Sequence, residues 1–427
     1  MGGQKMHVET LLRYVHPIKG FSYGPGTLTG KRGRERLRFP LCAHQRNRPV
    51  CSGCGQVGAS YDRLPEREFQ MIPLWGIPVI LLYRMRRVDC PRCARVVVEQ
   101  VPWAIGKSPM TLAFMIFLAS WARVVSWKET GLRFRVGWDA VYRAVAWVVE
   151  YGKEHRSLKG ITALGVDEIQ RSKGQRYLTV VYQIDAGCRR LLWIGRGRTK
   201  KSFAEFFHWF GTGRSAKLTH ICTDMWKPYL TLIARFAPNA LNILDRFHLV
   251  AKLGLAVDDV RRKESARLRA LGREVLVRTR WIWLKKPRNL TSKQRRHRRT
   301  ILDSPVNLNL RTIRAYFFRL EFDHLWDFNL PSRAGAFLDN WCRRVMRSRL
   351  EPLKAVAKTF RAHRTLILNY FIAQKVFSSG VVEGLNNKAK VGMRRAYGNR
   401  SDDVLEIALF HQLGELPEPK TTHKFCG

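Results

Sequence analysis

The sequence predicts an α/β protein: a mixed β-sheet core interrupted by an all-α insertion and preceded by two small N-terminal modules. Three observations predict it. Residues 161–248 pass from three extended segments in series to alternating helical and extended ones. Residues 251–370 lose the strand signal, and two Cys-x-x-Cys pairs stand near the N-terminus. At 427 residues the chain exceeds one ordinary domain, and a 45% hydrophobic composition supplies a core. The charge is unusual, 77 Lys+Arg against 33 Asp+Glu, a formal +44. A GC-rich genome explains Arg over Lys but not the shortage of acids. A field of that sign attracts polyanions, and counterion release makes nucleic acid the default partner. The N-terminus has no run of signal-peptide length, and the most apolar stretch, residues 109–122, falls short of the ~20 residues a bilayer span needs. A soluble, intracellular chain with no membrane partner is expected.

The first module, residues 1–100, carries "CSGC" at 51–54 and "CPRC" at 90–93. Between them, "FQMIPLWGIPVILLYRMRRVDC" is aromatic and branched, as strands require. Two knuckles joined by strands suit a structural Zn²⁺ on Cys51, Cys54, Cys90 and Cys93, in a zinc ribbon whose tiny core needs the metal. The 35 residues between the knuckles imply an unusually long hairpin. Four buried or redox cysteines are the alternative; Cys42 and His44 read as bystanders. The second module, residues 101–155, contains "WKETGLRFRVGWDAVYRAV", with the order of a helix-turn-helix: a short helix, a turn ending near Gly137, and a helix from Trp138. Trp138, Asp139, Tyr142 and Arg143 would face DNA, with Val141, Ala144 and Val145 inward. Any helical protein contains such pairs, so its weight comes from the ribbon and the charge around it.

Residues 156–250 follow. "ITALGVDE", "YLTVVYQIDAG" and "RLLWIGRG" read as a three-strand meander, then helix "KSFAEFFHWFG", strand "THICTD", helix "WKPYLTLIARF" and strand "LNILDRFH". That is the order of an RNase H-like core. Residues 251–370 are the basic helical insertion; positions 251–300 hold 17 Lys+Arg against four acids. Residues 371–427 complete the core and end in "LPEPKTTHKFCG", which reads as a frayed tail.

Three acids fit one chemical task. Asp167 sits in the first, central strand, where an ionised acid is costly unless paired or metal-bound. Asp224 closes "THICTD" at the strand end where such sheets place ligands, and Glu383 lies on a later helix, "GVVEGLNNKAKVGMRR". Oxygen-only ligands suit two Mg²⁺ (or Mn²⁺) ions about 4 Å apart, which can hydrolyse or transfer a phosphodiester. Each acid has a plainer role: Asp167 as a strand-end turn residue, Asp224 as a helix cap, Glu383 as a first-turn acid favoured by the helix dipole. Glu168 adjoins Asp167, and alternation lets only one of them join the site. Trp226 and Tyr229 could stack on an unpaired base or simply fill the core, and Asp245 and His248 could buttress the site or form a structural pair. Past Glu383, Lys388, Lys390, Arg394 and Arg395 would follow a DNA strand, with Asn386 and Asn387 bonding sugar or phosphate oxygens.

Taken together, "CSGC…CPRC", "VSWKETGLRFRVGWDAVYRAV", "GVDEIQRSKGQRYLTVVYQID", "CTDMWKPY", "DRFHLV" and "GVVEGLNNKAKVGMRRAYGNRS" resemble the ISL-three family of bacterial insertion-sequence transposases over about residues 40–415. The resemblance implies a DDE transposase with catalytic acids at Asp167, Asp224 and Glu383, a helical insertion between the last two, and a D-x-x-H element at Asp245 and His248. It implies double-stranded DNA partners (element ends and target), a homodimer or higher assembly at synapsis, and a cytoplasmic, nucleoid-associated site of action. The "NNKAK" run shifts the family's usual lysine slightly. A non-catalytic DNA-binding regulator and an RNase H-fold nuclease on branched DNA are the competing functions.

Overall fold

The structure, a computed structural model, describes residues 7–172, 176–376, 380–395, 401–421 and 423–424. The chain packs as two compact units, Met1–Ser157 with Ala389–Gly427, and Leu158–Lys388. The end of the family-like motif, residues 396–400, lies outside the described residues.

In the first unit, α1 (Val8–Val15) precedes β1 (Phe21–Tyr23), β2 (Thr27–Thr29), β3 (Arg36–Ala43), β4 (Val50–Cys51), β5 (Ala59–Leu74), β6 (Ile77–Cys90) and β7 (Arg95–Gln100). Their order is β1-β3-β6-β7-β4, with β2 on β3 and β5 on β6. The long hairpin inferred from the cysteine spacing is β5–β6. It turns at Trp75 and Gly76, both at positive φ (50° and 82°), as a two-residue turn matching strand twist requires. The sheet is wider than the ribbon expected from sequence, because residues 21–43 add strands of their own. Trp103 anchors its core, with Phe21, Tyr83 and Phe69 edge-on at 4.8, 5.1 and 5.8 Å. Buried Glu99 ties β7 to β6 by accepting bonds from Tyr83 Oη, Arg86 N and Arg86 Nε.

Helices α2 (Leu112–Val124), α3 (Trp127–Phe134) and α4 (Trp138–His155) follow. Ser126 caps α3 by accepting from Glu129 N; Arg135 at φ 56° ends it, and Gly137 starts α4. The tight turn needs Gly131, where a Cβ would lie 2.7 Å from the Val136 carbonyl. Val141, Ala144 and Val145 are buried, as their spacing predicts. The described residues of the C-terminal segment, 416–421 and 423–424, are held against this unit rather than frayed. Leu416 packs where Gly152 leaves room, Arg123 pairs with Glu418 at 2.8 Å, and Lys424 N bonds Val15 O at 2.8 Å.

In the second unit, β8 (Ala163–Ser172), β9 (Arg176–Asp185) and β10 (Cys188–Arg196) form an antiparallel meander. After α5 (Lys200–Phe210) and α6 (Thr212–Ser215), β11 (His220–Thr223), α7 (Lys227–Phe236) and β12 (Leu241–Leu244) follow. The sheet order is β10-β9-β8-β11-β12, with β11 parallel to both β8 and β12. Phe203, Phe206, Phe207 and Phe210, at helical spacing on α5, pack with Tyr229, Leu232 and Ile233 of α7 against Val166, Val181, Leu192 and Ile221.

The chain continues as α8 (Arg246–Ala270), α9 (Arg280–Leu284), α10 (Ser292–Leu302), α11 (Pro305–Leu308), α12 (Arg311–Asp323), α13 (Pro331–Met346), α14 (Glu351–Ala362) and α15 (Arg364–Ile372). The described residues of 251–370 contain no strand, in line with the all-α expectation. Glu264 of α8 accepts from the N–H groups of Arg311 and Thr312 at 2.7 Å each, capping α12 from another helix. Asn369 Nδ2 donates to Asn242 O at 2.7 Å, fastening α15 to β12. Then comes α16 (Gly380–Arg395), whose residues through Lys388 belong to this unit. Among the described residues no helix is long and apolar enough to cross a membrane.

Candidate active site

The site lies at the middle of β8 and just past the C-terminal end of β11. Because β8 alternates, Asp167 faces the α16 side and Glu168 the α7 side. On the α16 side Gly165 lets the helix close down: a Cβ there would lie 2.3 Å from Val382 Cγ2. Asn386, one turn after Glu383, donates from Nδ2 to Asp167 Oδ2 at 2.6 Å and accepts from Tyr182 Oη at 2.8 Å. Glu168 N donates to the other Asp167 oxygen at 2.8 Å. Burial is the main cause pushing the Asp167 carboxyl above its ordinary range, and the charges of Asp245 and Asp224 push the same way.

Asp224 follows β11 with one oxygen accepting from Trp226 N at 2.9 Å and the other paired with Arg198 Nη2 at 3.0 Å. It therefore serves the turn into α7 as well as standing at the site. Asp245 caps α8 by accepting from Phe247 N at 2.6 Å, and lies 3.6 Å from His248 Nε2, which is also 3.9 Å from Asp167 Oδ1. Both distances are longer than hydrogen bonds.

Glu383 is exposed in the first turn of α16 and lines a cleft of about 310 Å³ with Asp245, Arg246, Phe247, Lys286 and Lys375. Among the described residues, Asp167, Asp224 and Glu383 do not form a group with all ligand atoms within 4.8 Å. The donor set still fits divalent cations. The charges of Asp224 and Asp245 add to the cost of ionising Asp167, and the carboxylate oxygens there are the hard ligands such ions prefer, with the His248 imidazole beside them.

Other expected contacts are placed differently. Asn386 is 4% exposed and committed to Asp167 and Tyr182, so it is no DNA contact; its amide satisfies buried oxygens instead. Tyr229 is fully buried and donates to Glu168 Oε1 at 2.7 Å, so it offers no stacking face; Trp226 is half-buried, edge-on to Tyr229 at 4.7 Å. Asn387, Lys388, Lys390 and Arg394 are exposed. Arg395, also exposed, donates to the carbonyls of Arg123 and Val124 at the end of α2. On α4, Trp138, Asp139 and Arg143 are exposed, with Asp139 and Arg143 paired at 3.0 Å, whereas Tyr142 leans on Trp127 at 5.4 Å.

Cys51, Cys54, Cys90 and Cys93 converge, with Sγ atoms 3.8 Å (Cys51–Cys93) and 3.5 Å (Cys54–Cys90) apart. Tetrahedral Zn–S bonds of ~2.3 Å put sulfurs about 3.8 Å apart, so the cluster fits zinc. Backbone N–H groups of Cys54 and Gly53 hold the Cys51 thiol down to about 6. Cys42 is exposed and stands outside the cluster.

Sequence reasoning missed Glu168 as a participant and Arg198 altogether. Arg198 bridges Glu168 Oε1 (3.1 Å) and Asp224 Oδ2 (3.0 Å). No spacing rule flags an arginine in the loop after β10; only the folded sheet brings it to both acids.

Comparison with known proteins points to one family. The model of the ISL3 DDE family, described as "Transposase", matches residues 164–409. The transposase for insertion sequence element IS1001 of Bordetella parapertussis is 27% identical over 363 residues, 84% of this chain and 87% of that protein. The transposase for insertion sequence element IS1557 of Mycobacterium tuberculosis is 28% identical over 397 residues, 86% of each chain. The chain belongs to the ISL-three family of insertion-sequence transposases.

Proposed function

We propose that this chain is a metal-dependent DDE transposase that cleaves the ends of its element and joins them to target DNA, with an RNase H-like catalytic core. The β10-β9-β8-β11-β12 order, antiparallel then parallel about a central strand, supports that core. One observation carries the catalytic reading: Asn386, on the helix of Glu383, bonds Asp167 across 219 residues of chain. That bond docks the helix of Glu383, one turn before Asn386, onto an aspartate whose ionisation burial disfavours. Asp167, Asp224 and Glu383 are the proposed ligands. Two Mg²⁺ or Mn²⁺ ions bound there supply Lewis-acid polarisation of the phosphodiester.

The chain's own residues do the rest. Asn386 and Glu168 N orient the Asp167 oxygens, Trp226 N orients Asp224, and the His248 ring sits between Asp167 and Asp245. On the DNA, water attacks phosphorus and the P–O3′ bond breaks, leaving a 3′-hydroxyl and a 5′-phosphate. That hydroxyl then attacks a target phosphorus and displaces a target 3′-hydroxyl. The zinc ribbon and α3–α4, as a helix-turn-helix, read the terminal inverted repeats, and a homodimer or larger assembly holds two ends. Such an enzyme works on the nucleoid in the cytoplasm.

Asp167→Asn, Asp224→Asn and Glu383→Gln each abolish end cleavage in a labelled-oligonucleotide assay while end binding persists. Cleavage retained in any one removes that residue from the site. The non-catalytic regulator draws on one observation, the exposed Glu383 outside the 4.8 Å grouping; absence of metal-dependent nicking in the unaltered chain would favour it.

A further inference from the structure

Arg198 follows Gly197, a glycine at φ 84°, in the loop between β10 and α5. Its guanidinium has three partners. Nη2 meets Asp224 Oδ2 at 3.0 Å, Nε meets Glu168 Oε1 at 3.1 Å, and the plane lies 5.0 Å over the Trp226 ring. The anchor is built into the fold: the Glu168 side chain is 9% exposed and also accepts from Tyr229 Oη, itself fully buried. The far end is different. The Arg198 side chain is 39% exposed, and the Asp224 oxygen it pairs with is the one its own turn leaves open.

A half-exposed ion pair contributes little to stability, so this bridge is poorly explained as a fold staple. Its place matters more, since it sets a fixed positive charge on the Asp224 oxygen that faces away from the backbone. We propose that Arg198 is a positioning residue: it stands in for a divalent cation on Asp224 until cation and DNA arrive, then gives up that oxygen and turns its charge to a DNA phosphate, with Glu168 and Tyr229 keeping it within reach. The exchange is one cation for another, and no covalent bond changes. Guanidinium suits both stages because its fork pairs with carboxylate and phosphate alike. The inference rests on Asp224 as a metal ligand, and the test separates the two.

The test is Mn²⁺ binding to the full zinc-loaded chain, read from the EPR signal of free Mn²⁺, beside end cleavage at saturating Mn²⁺. Removing a unit charge a few ångströms from a divalent site, in screened water, tightens binding roughly fivefold. Arg198→Gln is therefore expected to bind Mn²⁺ more tightly yet cleave more slowly, and Arg198→Lys to keep affinity near that of the unaltered chain. A loosened or misfolded site cannot give that pair of opposite signs. Should Arg198→Gln not fold, Glu168→Gln carries the test: the freed Arg198 competes harder for Asp224, and Mn²⁺ binding weakens. Unchanged or weaker Mn²⁺ binding in Arg198→Gln, or unchanged or tighter binding in Glu168→Gln, overturns the proposal. If Asp224→Asn binds Mn²⁺ as tightly as the unaltered chain, the ligand assignment of Asp224 falls first and takes Arg198 with it.

Discussion

Replacing Asn386 tests how the two halves of the site are joined. Its amide donates to Asp167 Oδ2 at 2.6 Å and its carbonyl accepts from Tyr182 Oη at 2.8 Å, in a setting where it is 4% exposed. Asn386→Leu keeps the volume and removes both bonds. A hydrogen bond to a charged group contributes about 1.5–3 kcal/mol and a neutral one about 0.5–1.5, so the loss should reach about 2–4 kcal/mol. In a unit of this size that lowers the melting transition by roughly 5–15 °C. Asn386→Asp goes further by facing Asp167 with a second carboxyl. Burial already raises the Asp167 pKa above 3.8, and the new acid raises it again. Groups with raised folded pKa values contribute stability below their unfolded values and lose it as pH rises through the folded ones. Asn386→Asp should therefore sit close to the unaltered chain near pH 4 and fall progressively behind it toward pH 7, with Mn²⁺ restoring part of the difference. Calorimetry across that range is the assay. A cost below about 0.5 kcal/mol for Asn386→Leu, typical of a surface site, or a flat pH profile for Asn386→Asp, would refute the docking of α16 onto β8.

Gly165→Ala should push Val382 and α16 off the sheet, costing about 1–3 kcal/mol and slowing end cleavage; Val382→Ala in the same chain should restore both, and failure of that rescue in melting and cleavage assays would count against the packing. Zinc analysis should find one ion per chain, lost in Cys51→Ser or Cys90→Ser together with the protease resistance of the β5–β6 hairpin; a full-strength hairpin without zinc would contradict a structural role. On α10, Lys293, Arg295, Arg296 and Arg299 are exposed and share the helix with no acid. Changing all four to Gln should reduce the slope of log affinity against log salt by about 0.9 for each DNA phosphate no longer neutralised, equally for end and random DNA. An unchanged slope would make α10 a solvated face.

Much of this was legible in the chain. Period-two runs with polar turns gave β8–β10, and short apolar runs between amphipathic helices gave β11 and β12, because strand and helix periods differ and each segment keeps to one. The knuckles gave the cysteine cluster, since C-x-x-C spacing itself imposes the chelate. Side-chain destinations were harder. "NN" after Glu383 looked like a polar face, yet helical phase sends Asn386 inward to Asp167 and Asn387 outward. Tyr229 and Trp226 could be read as stacking rings or core, because aromatics near acids serve both equally well, and burial decides it for Tyr229. Arg198 carried no signal, since its partners lie 30 and 26 residues away on separate elements. The C-terminal residues looked frayed because their partners, Val15 and Arg123, are distant in sequence.

The most direct measurement is the anomalous scattering of Mn²⁺ in crystals of the chain bound to a cleaved element end. Two peaks about 4 Å apart, touching carboxylate oxygens of Asp167, Asp224 and Glu383, are the predicted result. Peaks that leave Glu383 without a metal contact, or none between the two aspartates, would contradict it.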